Sequence, residues 1–208
     1  TCAIVGPSGS GKTTLCNLIA RFWDVSDGSI TIGGTDIRKI PLSQLADTVS
    51  FVTQDNFLFN CSIKENIRLG NPQASDEEVF AAAKAACCDE FILNLQHGYD
   101  TMAGDAGNRL SGGEKKLVSL ATVLVMEPEA LLLDEPTNGL DPEARQRIIG
   151  VLKTLPTARI IISHDWDFLA ETSSEYLTVE GQHFTDAAPS HAHAHMHVHP
   201  LGNKPHEH

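Results

Sequence analysis

Apolar residues gather along the chain in two alternating rhythms. Four short, nearly continuous runs (Thr1–Val5, Val49–Val52, Ala130–Leu133 and Arg159–Ser163) have strand length and are separated by stretches of helical pattern. Alternation of this kind predicts an α/β fold with a mainly parallel sheet. A smaller β piece, Ser29–Ile32, sits between the turn-forming pairs Asp27-Gly28 and Gly33-Gly34. From about Asn66 to Thr122 the rhythm is helical. Ser75-Asp-Glu-Glu78 opens an Ala-rich run there, with Ser75 as N-cap and Glu78 completing a capping box. This predicts a helical subdomain inserted into the α/β core. The pattern fails after about Thr185. Seven of the ten histidines fall in Asp186–His208, so the reading is one domain over residues 1–185 followed by a disordered His-rich tail over 186–208.

Bulk properties narrow the class. The 208 residues suffice for one sizeable core, and 41% hydrophobic with 20% charged residues is the balance of a globular protein. A formal net charge of −12 repels phosphate backbones, which argues against nucleic acid as a partner. No stretch reaches the roughly 18 apolar residues that span a bilayer, so a membrane role requires a partner. The five cysteines (Cys2, Cys16, Cys61, Cys87 and Cys88) show no CxxC spacing and read as reduced thiols. Thr1 already stands inside an apolar run, which predicts a chain cut at its N-terminus.

The chemistry concentrates where strands end. Gly6-Pro-Ser-Gly-Ser-Gly-Lys-Thr13 fits G-x-x-x-x-G-K-[ST] between a strand and a helix. Gly6, Ser8, Gly9, Ser10 and Gly11 let the backbone curl around a polyphosphate, and the helix that follows through Thr14 adds the positive end of its dipole. Lys12 reaches the terminal phosphates and Thr13 ligates Mg²⁺. The second acidic element is Asp134-Glu135, at the end of an apolar strand. Asp134 is the expected Mg²⁺ partner and Glu135 the general base for an attacking water. Gln54 and His164 each follow a predicted strand, where open α/β sheets place ligand-contacting groups. Both are expected as catalytic members of the same site, with Gln54 also at the Mg²⁺.

Leu110-Ser-Gly-Gly-Glu114 resembles the signature of the ABC ATPases, and 99 residues separate Lys12 from Ser111, a spacing that family shares. Gln54 matches its Q-loop, Asn138-Gly-Leu-Asp141 its D-loop and His164 its switch histidine. The resemblance runs from about Thr1 to Gln182. It implies a P-loop NTPase with a RecA-like core, the ABC helical subdomain and an incomplete N-terminal antiparallel β-subdomain. It also implies Mg-ATP as cofactor, hydrolysis coupled to transport, and a head-to-tail dimer in which Ser111, Gly112, Gly113 and Asp141 of one chain complete the ATP site of the other. Transmembrane subunits or domains would hold the domain at the cytoplasmic face of the membrane.

Two branches of the family are echoed. Gln54-Asp-Asn-Phe-Leu-Phe59, Ser62-Ile-Lys-Glu-Asn66 and Gly104-Asp-Ala-Gly107 are similar to exporters of lipids, drugs or siderophores. After Leu110–Lys116, Lys115-Lys-Leu-Val-Ser-Leu-Ala-Thr122, Met126-Glu-Pro128 and Ser163-His-Asp-Trp-Asp-Phe168 resemble energy-coupling-factor ATPases of cobalt and nickel importers, which raises a chimera as an expectation. His191, His193, His195, His197 and His199 alternate with small apolar residues and have the chemistry to bind Ni²⁺, Co²⁺ or Zn²⁺. Together these favour nickel or cobalt uptake, with an exporter-type domain and a soluble non-transport ABC ATPase as alternatives. Two departures stand out. Glu114 replaces the usual glutamine of the signature. The strands and adenine-stacking aromatic that precede the phosphate loop in the family have no counterpart here, so Ile30 and Ile32 are expected to lie exposed and turnover to be weak.

Overall fold

The computed structural model describes residues 1–186 apart from Ser8, Asp55, Gly181 and Gln182. The elements run β1 (Cys2–Val5), α1 (Lys12–Ile19), β2 (Thr31–Ile32), β3 (Thr35–Asp36), α2 (Leu42–Thr48), β4 (Val49–Val52), α3 (Ile63–Arg68), α4 (Asp76–Ala85), α5 (Asp89–Asn94), α6 (Gly112–Leu124), β5 (Ala130–Asp134), α7 (Pro142–Thr154), β6 (Ala158–Ile162), α8 (Trp166–Thr172), β7 (Glu175–Glu180) and β8 (His183–Asp186). Six strands form one sheet in the order β4-β5-β6-β1-β7-β8, parallel except for the antiparallel β8. The α/β fold with a mainly parallel sheet is therefore present.

The continuous apolar runs have a geometric cause. Successive residues of a strand point to opposite faces, and here both faces are covered. Ala3, Val5, Leu131, Leu133 and Ile161 enter the larger core, whereas Ile4, Leu132 and Ile162 enter a second core with Cys16, Ile37, Leu45 and Val49. Register aligns the strand ends. Asp134 lies beside Ile162, and Ile162 beside Ile4, so the segments after β5, β6 and β1 leave the sheet side by side.

The helices α3–α6 pack on one another: Ile63, Ile67, Val79, Ala83, Ile92, Leu117 and Ala121 are buried together in the larger core. Ser75 accepts from Glu78 N–H while the Glu78 carboxylate accepts from Ser75 N–H, closing the capping box at the start of α4. Among the described residues no helix is long and apolar enough to cross a membrane.

Two expectations need correction. Ile30 and Ile32 are partly buried against the second core, because the β2–β3 hairpin folds onto the sheet side that carries Cys16 and Ile37, and Ile37 N–H donates to Ile30 O at 2.9 Å. Asp186, assigned by composition to the tail, ends β8 opposite Leu177. Its hairpin partner β7 carries Tyr176, Thr178 and Val179, a β-forming composition that the longer apolar runs overshadow. The tail histidines His191, His193, His195, His197 and His199, like Ser8 of the phosphate loop, lie outside the described residues.

Candidate functional site

The phosphate loop leaves β1 at Val5 and enters α1 at Lys12. Gly9 and Gly11 hold φ values of 81° and 91°, left-handed conformations in which a side chain would be strained. Gly11 is the N-cap and makes no side-chain bond to α1, which leaves the first-turn N–H groups for an outside acceptor. Lys12 Nζ folds back over the loop, donating to Gly6 O at 3.0 Å, Pro7 O at 2.8 Å and Ser10 Oγ at 3.2 Å. An anion in the loop offers the ammonium stronger acceptors than two carbonyls and a hydroxyl. Thr14, next along α1, is exposed.

Thr13 Oγ1 donates to Asp134 Oδ2 at 2.7 Å, joining the start of α1 to the end of β5. A hydroxyl and a carboxylate are oxygen donors of the kind that Mg²⁺ takes, together with waters and phosphate oxygens. Asp134 is buried, and burial pushes its carboxyl above the usual range. The Thr13 bond opposes that shift, the nearby Glu135 charge adds to it, and Lys12 opposes it. A buried carboxylate paired with a hydroxyl, beside a loop shaped for phosphate, is a set of residues that fits Mg-ATP.

Glu135 is fixed on every side. Its φ is 48°, a left-handed backbone unusual for a residue with a side chain. Its N–H donates to Ile162 O at 2.8 Å. Its carbonyl accepts from Lys116 Nζ at 3.0 Å. The carboxylate accepts from Ser163 Oγ at 3.1 Å on Oε2, and His164 Nδ1 lies 2.7 Å from Oε1. The sequence pointed to Glu135 and His164 but missed Ser163 and Lys116. Ser163 stands directly before His164 and so shares its strand end; nothing in the sequence marks Lys116. Gln54 is exposed just after β4, and its side chain makes no bond to Thr13 or Asp134. It sits off the strand neighbouring β5, within the same edge of the sheet.

Ser111 is the N-cap of α6. Its hydroxyl accepts from Glu114 N–H at 3.3 Å, and Glu114 Oε2 accepts from Ser111 N–H at 2.8 Å. The acid at this position thus closes a capping box, with its charge at the helix N-terminus. Gly113 lies so close to α7 that a Cβ there would come within 2.6 Å of Ala144 Cβ, whereas one on Gly112 would meet nothing within 4 Å. Asp141 caps α7, accepting from Glu143 N–H and Ala144 N–H. Among the described residues no hydrogen bond or ion pair joins Ser111–Gly113 to the phosphate loop. Within one chain, that end of α6 and the loop are not in contact through these bonds.

Comparison with known proteins decides the family. The family model described as ABC transporter matches residues 1–138, most of the described chain. The chain belongs to the ABC transporter family. It is 45% identical over 166 residues to the uncharacterized ABC transporter ATP-binding protein YknV of Bacillus subtilis, covering 79% of this chain and 28% of that protein. It is 42% identical over 188 residues to a putative multidrug export ATP-binding/permease protein of Staphylococcus aureus, covering 89% of this chain and 32% of the relative. A solved structure of a bacterial Atm1-family ABC exporter with ATP bound superposes with a TM-score of 0.82 at 40% identity, over 89% of this chain and 33% of that one. The chain spans about a third of the length of these relatives. It is thus an ABC transporter ATP-binding domain whose relatives include exporters.

These findings give no support to the lean toward nickel or cobalt uptake and favour the exporter-type alternative. An alignment of 188 residues in a chain of 208 necessarily crosses Leu110–Lys116, so the exporter likeness continues through the half that resembled importers. The two halves also share one sheet, with β4 paired to β5 and β1 to β6. Phe57 and Phe59 are exposed, stacked edge to face at 5.2 Å, beside a cavity of about 340 Å³ lined by Phe51, Leu58, Leu69, Val123 and Met126.

Proposed function

We propose that this chain is the ATP-hydrolysing domain of an exporter-type ABC transporter and works as a head-to-tail dimer with a second such domain. The observation that carries this reading is the meeting of two pairs, Thr13–Asp134 and Glu135–His164, at adjacent strand ends beside the phosphate loop. Mg-ATP, when bound, supplies the phosphoanhydride bond and a cation that neutralises its oxygens. The loop N–H groups and Lys12 hold the phosphates once Lys12 exchanges its loop acceptors for them. Thr13 and Asp134 hold the cation, with Gln54 as a further oxygen donor from the end of β4. Glu135 takes the proton of the attacking water, and Ser163 and His164 keep its carboxylate in place.

The isolated half-site at Ser111–Gly113 supports the dimer. Its N–H groups and hydroxyl stand at a helix N-terminus suited to the phosphates of a facing chain. Exposed Phe57 and Phe59 and the apolar cavity beside them support a peripheral domain that docks on a transmembrane part through this face. The relatives named ATP-binding/permease support export rather than metal uptake, with the membrane part on the same polypeptide.

Replacing Glu135 with Gln tests this directly. Mg-ATP should convert the variant from monomer to dimer by light scattering, while the parent chain hydrolyses ATP. A variant that stays monomeric, together with a parent that shows no turnover, would overturn the proposal.

A further inference from the structure

Lys116 is the least expected charge in the molecule. Only 7% of it is exposed, yet among the described residues no carboxylate bonds its ammonium. The head donates instead to two backbone carbonyls, Glu135 O at 3.0 Å and Asn138 O at 2.8 Å. Burying an ammonium against carbonyls alone is costly, and here burial lowers its affinity for the proton, with the nearby Glu135 charge opposing. An apolar residue would fill the same space among Val52, Leu120, Leu133 and Ile148 at less cost.

The two carbonyls explain what the ammonium does. Glu135 has φ of 48°, and its carbonyl also accepts from Asn138 N–H at 3.1 Å, so the turn from Glu135 to Asn138 carries an energetically unfavourable backbone. On one side Ile162 O fixes this turn through Glu135 N–H. On the other, Lys116 fixes both its ends. Lys116 stands on α6, five residues and about 7.5 Å along the axis from Ser111. The same rigid helix therefore carries the half-site for a facing chain and the clamp on this chain's own base.

We propose that Lys116 is a positioning residue for ATP hydrolysis: from α6 it holds the Glu135–Asn138 turn in its left-handed form, so that the setting of the Ser111 end of the helix determines how Glu135 is presented in the same chain. The inference rests on the role proposed for Glu135 above.

Lys116→Met keeps the apolar stem and removes the donors, and Lys116→Gln keeps one donor. Lys116→Met should lower kcat for ATP about tenfold with KM within about twofold, and its thermal midpoint should not fall, since a buried charge has gone. Lys116→Gln should recover part of kcat. In the Glu135→Gln background, Mg-ATP dimerisation should be unchanged. In the nucleotide-free chain the Asn138 amide should exchange with deuterium about tenfold faster in Lys116→Met, while α6 stays protected. An unchanged kcat, or unchanged exchange at Asn138, would overturn the proposal. So would a parallel loss of kcat, thermal midpoint and dimer, which would reduce Lys116 to a part of the core. Failure of the parent to hydrolyse or of Glu135→Gln to dimerise would instead defeat the reading of the site, and the exchange measurement would still decide the role of Lys116.

Discussion

Gly112 and Gly113 are neighbours in the first turn of α6, yet alanine at each should act in opposite directions. At Gly113 the new Cβ would stand 2.6 Å from Ala144 Cβ. Carbon atoms in contact prefer about 3.5–4.0 Å, so α6 or α7 must shift by about 1 Å. Overpacking of this kind costs about 1–3 kcal/mol, and alanine's better helix propensity returns at most about 1 kcal/mol. The expected net loss is about 1 kcal/mol, and at most about 2 when the full propensity gain is returned. At Gly112 the Cβ meets nothing within 4 Å and φ is not left-handed, so only the propensity gain remains. Gly112→Ala should therefore gain up to about 1 kcal/mol. Urea denaturation of the nucleotide-free chain separates stability from any effect on phosphate binding. The two midpoints should differ by the equivalent of about 2 kcal/mol, with the parent between them. Gly113→Ala combined with Ala144→Gly should be less destabilised than the sum of the single variants, because the second change removes the atom that clashes. Equal midpoints for Gly112→Ala and Gly113→Ala, or strict additivity in the double variant, would refute the packing argument.

Two carboxylates whose affinities shift in opposite directions, Asp134 and Asp165, give two more tests. Asp134 has a folded pKa raised chiefly by burial, so the nucleotide-free chain loses stability as pH rises from the ordinary carboxylate value through the raised one. Asp134→Asn keeps an acceptor for Thr13 and should raise stability at pH 7.5 by about 1 kcal/mol, or about 2–4 °C in Tm, while abolishing the further rise that Mg-ATP gives the parent; a lower Tm would contradict this. Asp165 behaves in the opposite sense. Arg145 grips it at 2.9 and 3.0 Å and holds its carboxyl below the usual range, so its stabilisation is complete above about pH 4 and disappears as pH falls through the lower folded value. Arg145→Met should cost about 1–2 kcal/mol at pH 6, a difference that shrinks as the pH falls below about 4; a cost independent of pH would exclude the ion pair as its source.

Much of this molecule follows from one-dimensional pattern. A strand buried on both faces must be apolar without interruption, so Ala130–Leu133 and Val49–Val52 announce themselves, and the acids after the first are visible because they end the run. Gly9 and Gly11 are legible for a local reason as well, since only glycine takes their left-handed conformations without strain. The capping boxes at Ser75 and Ser111 each span four residues and need no distant partner. Other features depend on residues far apart in the chain. Thr13 meets Asp134 only because α1 and β5 abut in three dimensions, and Lys116 reaches Glu135 and Asn138 only because α6 packs over the sheet. Ile30 and Ile32 are covered for the same kind of reason, a contact with a core assembled from distant segments. Local backbone preference and burial alternation are written residue by residue, whereas the pairing of Asp134 with Thr13, and of Glu135 with Lys116, depends on strand order and register, which only the packed sheet supplies.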